Sequence, residues 1–400
     1  EISRYKFRKI KKMLEYKENP KNPMVCMSVT LNIMRRFLVL PPEHAMLDPG
    51  AFFFFRFVVV SIFGAVPLMS STTHLMHTII TGEYHLMETD LTYIVSFITS
   101  YVAVWAFLLK LRHVAEMYIF LSDFEAFGKP KDFDVNNENF NKYAKMHFVY
   151  LEIVVWLIVL ASNMVKSESC HQDNIRLNLT EVCGLMTNSW LPFDIDYTPV
   201  KEIYLIFQIF GGHHFYMLAG LMAWLVFETV QHIVVRIRDI KHIMLEALSQ
   251  EDPLLRKQQF HFAIRYHNAL FGLVDRANEA FSIFMFTHMV VTSIIMGIGI
   301  YTFLHAKSVS TIMVCVGWFW GLFMDCISGQ RLQDETSELA VAIYDSPWYD
   351  CEEELKRDIL FVLHKCQTCQ VLCAGAFGIM DRAMFLAVLK LTYSYITLLR

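Results

Sequence analysis

Charged residues are scarce in this chain: Asp, Glu, Lys and Arg make up 18% of its 400 residues, whereas 55% are hydrophobic. So little polar surface cannot cover several soluble domains, and a mean hydropathy of +0.37 is typical of a membrane protein. The chain also lacks the basic, apolar and small-residue regions of a signal peptide ahead of its first apolar run. We therefore expect one membrane domain over residues 1–400, without a cleaved leader.

Signatures of catalysis are also missing. The sequence has no nucleophile triad, phosphate-binding loop or paired carboxylates, and the CQTC motif at 366–369, with Cys373, has no second cysteine pair at zinc-binding spacing. Histidines are frequent, but His74 and His77 do not form the several cytoplasmic histidine boxes that a diiron desaturase needs. We expect no enzymatic activity, no metal and no cofactor.

Long apolar runs are what the chain does contain. A helix needs about 18 or more mostly apolar residues to cross a bilayer. Seven runs satisfy this, at residues 52–70, 91–109, 146–165, 202–227, 281–304, 309–327 and 376–399. The sequence therefore predicts an all-α polytopic protein with seven transmembrane helices and no internal repeat.

Lys and Arg alternate between the connections that join these runs. They are abundant before the first run and after the second, fourth and sixth runs, and absent or sparse after the first, third and fifth. Basic loops stay in the cytoplasm. This pattern predicts a cytoplasmic amino terminus and, with seven spans, an extracellular carboxyl terminus.

The loop after the third run carries two features of an extracellular segment. Asn178-Leu179-Thr180 is the sole Asn-X-Ser/Thr sequon in the chain, which indicates a glycosylation site at Asn178. Cys170 and Cys183 flank the sequon, and outside the cell a disulfide between them is chemically permitted. The sequence leaves open whether the two pair.

Two other segments are amphipathic rather than fully apolar. Residues 254–280 place apolar side chains at helical spacing, which predicts that the fifth helix starts in the cytoplasm and continues into the membrane. Residues 328–375 are polar and then amphipathic. Such faces need partners to bury them, so we expect a cytoplasmic assembly region within or between subunits.

The last run carries polar residues at helical spacing. Lys390, Leu391, Ser394, Thr397 and Leu398 fall on one helix face. A polar face that ends in leucine suits a water-filled conduit closed by an apolar constriction. Alternatively, the hydroxyls bond back to carbonyls of their own helix, and the stripe has only a structural role.

Several motifs, most of them in the last 140 residues or so, resemble those of one family, the insect odorant receptors. They are HNAL at 267–270, Gly329, LAVAIY at 339–344 with Trp348, and Phe385 followed by VLK at 388–390, TYSY at 392–395 and Leu399. The seven spans and the cytoplasmic amino terminus are similar as well, so the resemblance covers essentially the whole chain.

The resemblance implies a subunit of an odorant-gated, non-selective cation channel in the plasma membrane of olfactory sensory neurons. Such channels are tetramers of a tuning subunit and a shared co-receptor. This chain resembles the tuning subunit, because residues 110–145 are too short for the insertion that the co-receptor carries. The family's gate corresponds to Leu398, near Thr397 and Ser394. Lys390 is a departure from the family, because a positive charge beside a cation path is unexpected.

The chain then divides into four parts: a cytoplasmic segment (1–51), a six-helix ligand-binding bundle (52–327) with its extension (254–280), a cytoplasmic segment (328–375) and a pore-lining helix (376–400).

The resemblance implies ligand binding in the outer half of helices two, three, four and six. An apolar pocket suits small volatile molecules. Alternatively, these aromatic residues and the histidine only pack the bundle. The candidates are Tyr93, Phe97, Tyr101, Trp156, Phe207, Phe210, His214 and Trp318.

Two other receptor classes share some of these features. Gustatory receptors close with a Thr-Tyr pair and then a Gln-Phe pair, and Thr392-Tyr393 here has no Gln-Phe after it. G-protein-coupled receptors have an extracellular amino terminus, an acidic-arginine-aromatic triplet after span three and an Asn-Pro motif in span seven. Neither motif is present, so the sequence favours the odorant branch.

Overall fold

The structure is a computed structural model that describes residues 25–82, 87–306 and 309–399. Its helices are α1 (Ser28–Arg36), α2 (Ala51–Gly64), α3 (Val66–Thr81), α4 (Met87–Leu109), α5 (Leu111–Ser122), α6 (Phe133–Leu177), α7 (Val200–Leu248), α8 (Pro253–Ala306), α9 (Val309–Tyr344), α10 (Glu353–Cys366) and α11 (Arg382–Leu399). Short 3-10 helices lie at Glu43–Ala45 and Trp348–Asp350, and the strands are β1 (Cys373–Ala374) and β2 (Gly378–Ile379).

Within the described ranges, five helices are long and apolar enough to cross a membrane: α4, α6, α7, α8 and α9. The pair formed by α2 and α3 passes the same test as one broken span. The helix of the seventh predicted span, α11, has 18 residues, which at 1.5 Å per residue is about 27 Å. The prediction of an all-α polytopic protein is confirmed.

The first span is bent, where the sequence predicts one continuous helix. Helices α2 and α3 meet at an angle of 40°. Pro67, at the start of α3, has no N–H to donate to the preceding turn, which ends the α2 hydrogen-bond ladder at Gly64. Helix α7 packs into the bend through Gly211, where an added Cβ would lie 2.6 Å from the Gly64 carbonyl oxygen.

Four helices, α6, α7, α8 and α9, extend well beyond a bilayer; the 36 residues of α9 span about 54 Å. Helix α8 runs unbroken for 54 residues, about 80 Å, whereas the hydrocarbon core is about 30 Å thick. Helices α6 and α7 have 45 and 49 residues. The amphipathic 254–280 segment and the fifth apolar run are thus one helix.

The last helix begins at Arg382, six residues after the predicted start of the seventh span at residue 376. The residues before it form an antiparallel hairpin in which Cys373 pairs with Ile379 and Ala374 with Gly378. Gly375 adopts φ +60 in its turn, a conformation that glycine tolerates and most residues avoid. The first residues of the predicted seventh run therefore belong to this hairpin, although their hydropathy indicates a membrane helix.

The bend in the first span yields a stability prediction. In Gly211→Ala the new methyl group would meet the Gly64 oxygen and Pro67 Cδ, both at 2.6 Å, so the melting temperature in detergent should fall, in line with overpacking costs of about 1–3 kcal/mol. Gly272→Ala is the control, because nothing lies within 4 Å of its added Cβ. Equal melting temperatures for the two variants would contradict the close approach of α7 to the bend.

Candidate functional site

A buried acid–base pair lies between α8 and α9. His288 Nδ1 is 2.7 Å from Asp325 Oδ2, and the two side chains are 6% and 0% exposed. Both residues lie within apolar, membrane-spanning stretches. Ionisable groups at such depth are costly and are typically retained for a role in binding or transport.

Two cavities border on this pair. The larger one, of about 50 Å³, lies between α6, α7 and α9 and is lined by Tyr150, Leu151, Tyr216 and Gly317, among others. The smaller one, of about 20 Å³, lies between α4, α7, α8 and α9. Since one water needs about 10–15 Å³ by this measure, the larger cavity has room for a few small groups.

His288, Trp318 and Ala219 line both cavities and therefore form the wall between them. The His288 and Trp318 rings meet edge to face, with centroids 5.2 Å apart. Gly321 makes room for the histidine, because a Cβ there would lie 2.6 Å from His288 Cε1 and 3.0 Å from Nε2. The Cε1–Nε2 edge of the ring thus faces Gly321, which also lines the larger cavity.

The structure brings four of the predicted ligand residues into one apolar cluster above the cavities. Tyr93, Phe97 and Trp318 are buried there, and the half-buried Tyr101 packs against it. Phe215 joins them, with its ring centroid 4.1 Å from that of Tyr101. Of these four, only Trp318 also lines one of the two cavities, which therefore lie deeper than the predicted outer half. Trp156 instead lines an open groove of about 330 Å³ along α6.

The other four predicted ligand residues lie elsewhere. Trp156, Phe207 and Phe210 are 51%, 40% and 47% exposed, on outer surfaces of α6 and α7. His214 is buried, but its ring lies against Phe37, 6.4 Å away by centroid, beside the bend of the first span. Which aromatic residues face the interior depends on how each helix is rotated about its axis. The spacing of aromatic residues in the sequence does not show that rotation.

Sequence reasoning missed His288 and Asp325. A signal was present, because Asp325 is the one acidic residue in the run 309–327 and His288 the one ionisable histidine in the run 281–304. An ionisable residue within a membrane helix is by default a candidate functional residue.

One face of α11 is packed and the other is open. Val388 and Thr392 are 5% and 4% exposed, whereas Lys390, Ser394 and Thr397 are exposed. Ser394 Oγ donates to the Lys390 carbonyl at 3.0 Å, and Thr397 Oγ1 donates to the Ser394 carbonyl at 2.8 Å. Leu398 belongs to the helix, but its side chain lies outside the described part of the structure.

The loop after α6 is anchored to the bundle. A disulfide joins Cys170 to Cys183. His74 of α3 is held between Asp90 of α4 and Glu181 of the loop, with its Nε2 2.9 Å from Glu181 Oε2. Asn178 ends α6 in the left-handed conformation and is exposed, so its amide is accessible to modification.

The cysteines near the CQTC motif are not arranged as a metal site. Cys366 is buried with its Sγ 3.4 Å from His267 Nε2, and burial raises the pKa of its thiol to about 12. A thiol with so high a pKa is a poor metal ligand. Among the residues that the structure describes, no group of three or more His, Cys, Asp or Glu side chains is arranged to hold a metal.

The chain matches the family model described as 7tm Odorant receptor over residues 84–393. It is 26% identical over 157 residues to the odorant receptor coreceptor of Harpegnathos saltator, which is 38% of this chain and 33% of that protein. It is 22% identical over 178 residues to odorant receptor 22b of Drosophila melanogaster, covering 42% and 43% of the two chains. The chain thus matches about a third of the length of the first relative and less than half of the second.

The fold is similar to that of the insect olfactory receptor OR5 from Machilis hrabei, with a TM-score of 0.75, 14% identity and coverage of 92% and 97% of the two chains. The structure of that receptor in complex with eugenol is equally similar, with a TM-score of 0.76, the same identity and the same coverage. The likeness confirms the predicted seven-helix membrane fold.

The buried pair yields a test by double substitution. Asp325→Leu should strongly destabilise the protein, because removing one partner of a buried pair costs about 3–5 kcal/mol. The double variant His288→Phe with Asp325→Leu should recover much of that loss, since no polar group is then left unpaired. Melting temperatures in detergent of both single variants, Asp325→Leu and His288→Phe, and of the double variant measure this coupling. If the double variant were as unstable as the sum of its single substitutions, the two residues would not act as a pair.

Proposed function

The chain belongs to the insect odorant receptor family, and from this premise we propose that it is the ligand-tuning subunit of an odorant-gated, non-selective cation channel. The observation that carries the proposal is a buried polar pair beside two apolar cavities at the centre of the bundle. A concave, mostly apolar site with a few placed polar groups is the usual form of a small-molecule site.

The ligand site of this proposal is centred on His288 and Trp318 rather than on the outer aromatic cluster. Trp318 stands between the two cavities, so a rotation of its side chain would join them into one larger space. A ligand that binds the joined state better than the separated state shifts the protein toward it. Tyr93, Phe97 and Tyr101 would then form the upper wall of the site, and Met186 of the loop after α6 packs on this wall.

The pore of this proposal is lined by α11. Its open face carries Lys390, Ser394 and Thr397, whereas its other face packs on the bundle through Val388 and Thr392. In a tetramer, four such faces would surround one path. The Ser394 and Thr397 hydroxyls bond back to their own helix but keep lone pairs that can meet hydrated cations. Leu398 is the proposed gate.

The partner of this proposal is a co-receptor subunit. The end of α9 and the segment between α9 and α11 expose large apolar side chains, which is typical of a surface that another chain covers. These are Val341, Tyr344, Leu360, Phe361 and Phe377, which are 55%, 67%, 52%, 77% and 73% exposed. Odorant receptor coreceptors are among the proteins to which this chain is similar, and this agrees with joint assembly.

We propose that the subunit lies in the plasma membrane of olfactory sensory neurons, with the amino terminus inside and the carboxyl terminus outside. The alternation of Lys and Arg supports this orientation. A disulfide between Cys170 and Cys183 and an exposed sequon at Asn178 fit an extracellular loop. We propose that Asn178 is glycosylated.

The ligand site can be tested by filling it. Nothing lies within 4 Å of a Cβ added at Gly317, which lines the larger cavity. Gly317→Leu should therefore fill the cavity without a backbone clash and raise the half-maximal concentration of any activating volatile by about tenfold or more, the equivalent of about 1.4 kcal/mol. Whole-cell current in cells that also express the co-receptor measures the effect.

Gly272→Leu is the matched control, because position 272 also has open space around an added Cβ and lies outside both cavities. It should leave the response unchanged. Equal sensitivity of the Gly317→Leu variant and the wild type, at equal surface level, would contradict a ligand site in this cavity.

The pore can be tested by cysteine accessibility. Ser394→Cys places a thiol on the open face of α11, and Thr392→Cys places one on the packed face. A positively charged methanethiosulfonate reagent applied from outside should reduce current strongly through the Ser394→Cys channel. It should spare the Thr392→Cys and wild-type channels. Modification of Thr392→Cys at the same rate, or no effect at Ser394→Cys, would remove this face of α11 from the ion path.

A further inference from the structure

We propose that the cavity site selects molecules that carry a hydrogen-bond-accepting oxygen, such as ketones, aldehydes and esters, because His288 presents an N–H donor to the ligand. The inference rests on the proposed ligand site and adds the chemical class of the ligand. It follows from the charge of the buried pair and from the direction in which its free ring edge points.

The charge of the pair decides which ring nitrogen carries a proton. In the described residues, the one ion pair of Asp325 is with His288 Nδ1, and its other oxygen, Oδ1, is buried without a hydrogen-bond partner. An ionised Asp325 beside a neutral His288 would leave a net negative charge in the middle of the bilayer. That arrangement is costly, so the pair is expected to be neutral overall.

Three neutral arrangements exist, and the two favoured ones protonate Nε2. In the first, Asp325 is ionised and His288 is charged, so both ring nitrogens carry protons. In the second, the Asp325 carboxyl group is protonated and donates to Nδ1, so the single ring proton is on Nε2. In the third, the carboxyl proton is on Oδ1 and Nδ1–H donates to Oδ2, so Nε2 would be an acceptor. Because Oδ1 has no hydrogen-bond partner in the described residues, this arrangement leaves a buried O–H unpaired and is disfavoured. His288 Nε2 is therefore a hydrogen-bond donor.

The free edge of the ring faces the cavity. His288 lines both cavities, and its Cε1–Nε2 edge lies against Gly321, which lines the larger one. The bond to Asp325 is the one hydrogen bond that the described structure gives to the ring. A glycine at 321 leaves this edge open, whereas a larger side chain there would cover it.

The other polar groups at the site are compatible with such a ligand. His147 lines the larger cavity, but its Nε2–H donates to the Gly220 carbonyl at 3.2 Å, so its other ring nitrogen offers an acceptor only. The hydroxyls of Thr99, Ser100 and Thr287 donate to carbonyls of their own helices, so they offer acceptor lone pairs only. Tyr216 lines the larger cavity, and its hydroxyl is buried without a hydrogen-bond partner in the described residues. A tyrosine hydroxyl can donate as well as accept, so it agrees with an accepting oxygen on the ligand.

A site built around a hydrogen-bond donor discriminates strongly against a ligand of the same shape that lacks the acceptor, because the donor of the site is then left unpaired. The direct probes are isosteric pairs in which C=CH2 replaces C=O. We choose 2-heptanone with 2-methyl-1-heptene, and acetophenone with α-methylstyrene. In each pair the ketone should act at a concentration about tenfold or more lower than that of the alkene.

The variant that tests the donor is His288→Phe combined with Asp325→Leu, since it removes both polar partners and leaves no unpaired carboxylate. Its preference for the ketone should shrink to about twofold or less, whereas Tyr216→Phe should keep most of the preference. Two readouts are used: whole-cell current with the co-receptor, and the shift in melting temperature of the purified chain with each probe. The second readout needs no channel activity.

A ketone preference that is lost in the double variant, in either readout, supports the inference. Equal effects of ketone and alkene on the wild type, a preference that survives in the double variant, or no stabilisation by any ketone would overturn it. Thermal stabilisation by the ketone without any current, at normal surface level, would instead overturn the channel part of the proposed function and leave the ligand class standing.

Discussion

A bilayer offers no water to a buried charge, and the pairing of His288 with Asp325 is the place where this constraint shapes the molecule most. The His288 and Asp325 side chains join α8 to α9 across a distance of 2.7 Å. In the described residues, neither side chain has another hydrogen-bond partner. The histidine ring lies beside Gly321 of α9, and a cavity lies on each side of Trp318.

The same constraint explains how the other buried polar residues join elements that are distant in sequence. Arg236 of α7 donates to the carbonyls of Leu121 and Asp123 at 2.7 and 3.1 Å and to the Tyr266 hydroxyl at 2.9 Å. Glu228, also of α7, accepts hydrogen bonds from Thr30 of α1 and from the Trp224 indole. These hydrogen bonds form only when α1, α5 and α8 dock against α7, which makes α7 the central helix of the bundle.

Hydropathy and charge were sufficient to predict the helical class, the number of membrane helices and the continuous α8, because length and apolar content are local properties of the chain. The bend at Pro67 and the hairpin at 373–379 were missed. Both interrupt apolar runs, and hydropathy averages over such breaks. The Phe385 and TYSY motifs identify the family without showing which face of α11 is open.

The site was harder to predict, because a cavity depends on how each helix is rotated. Trp318 and Trp156 are equally plausible by spacing, yet one is buried between two cavities and the other is half exposed. His288 and Asp325 were detectable as rare ionisable residues within apolar runs, but their contact joins residues 37 positions apart on different helices. Only the folded arrangement shows that they form a pair.

The central claim is that a ligand bound within this helix bundle opens an ion path that this chain forms with a co-receptor. The most direct measurement is whole-cell current during brief exposure to a panel of volatile ketones, esters and alcohols, in cells with this chain alone, the co-receptor alone or both, with G-protein signalling blocked. The account predicts a rapid cation current in cells that express both, with an agonist profile absent from cells with the co-receptor alone. A current that vanishes with the G-protein block, or no current from surface-expressed subunits across the panel, would contradict it.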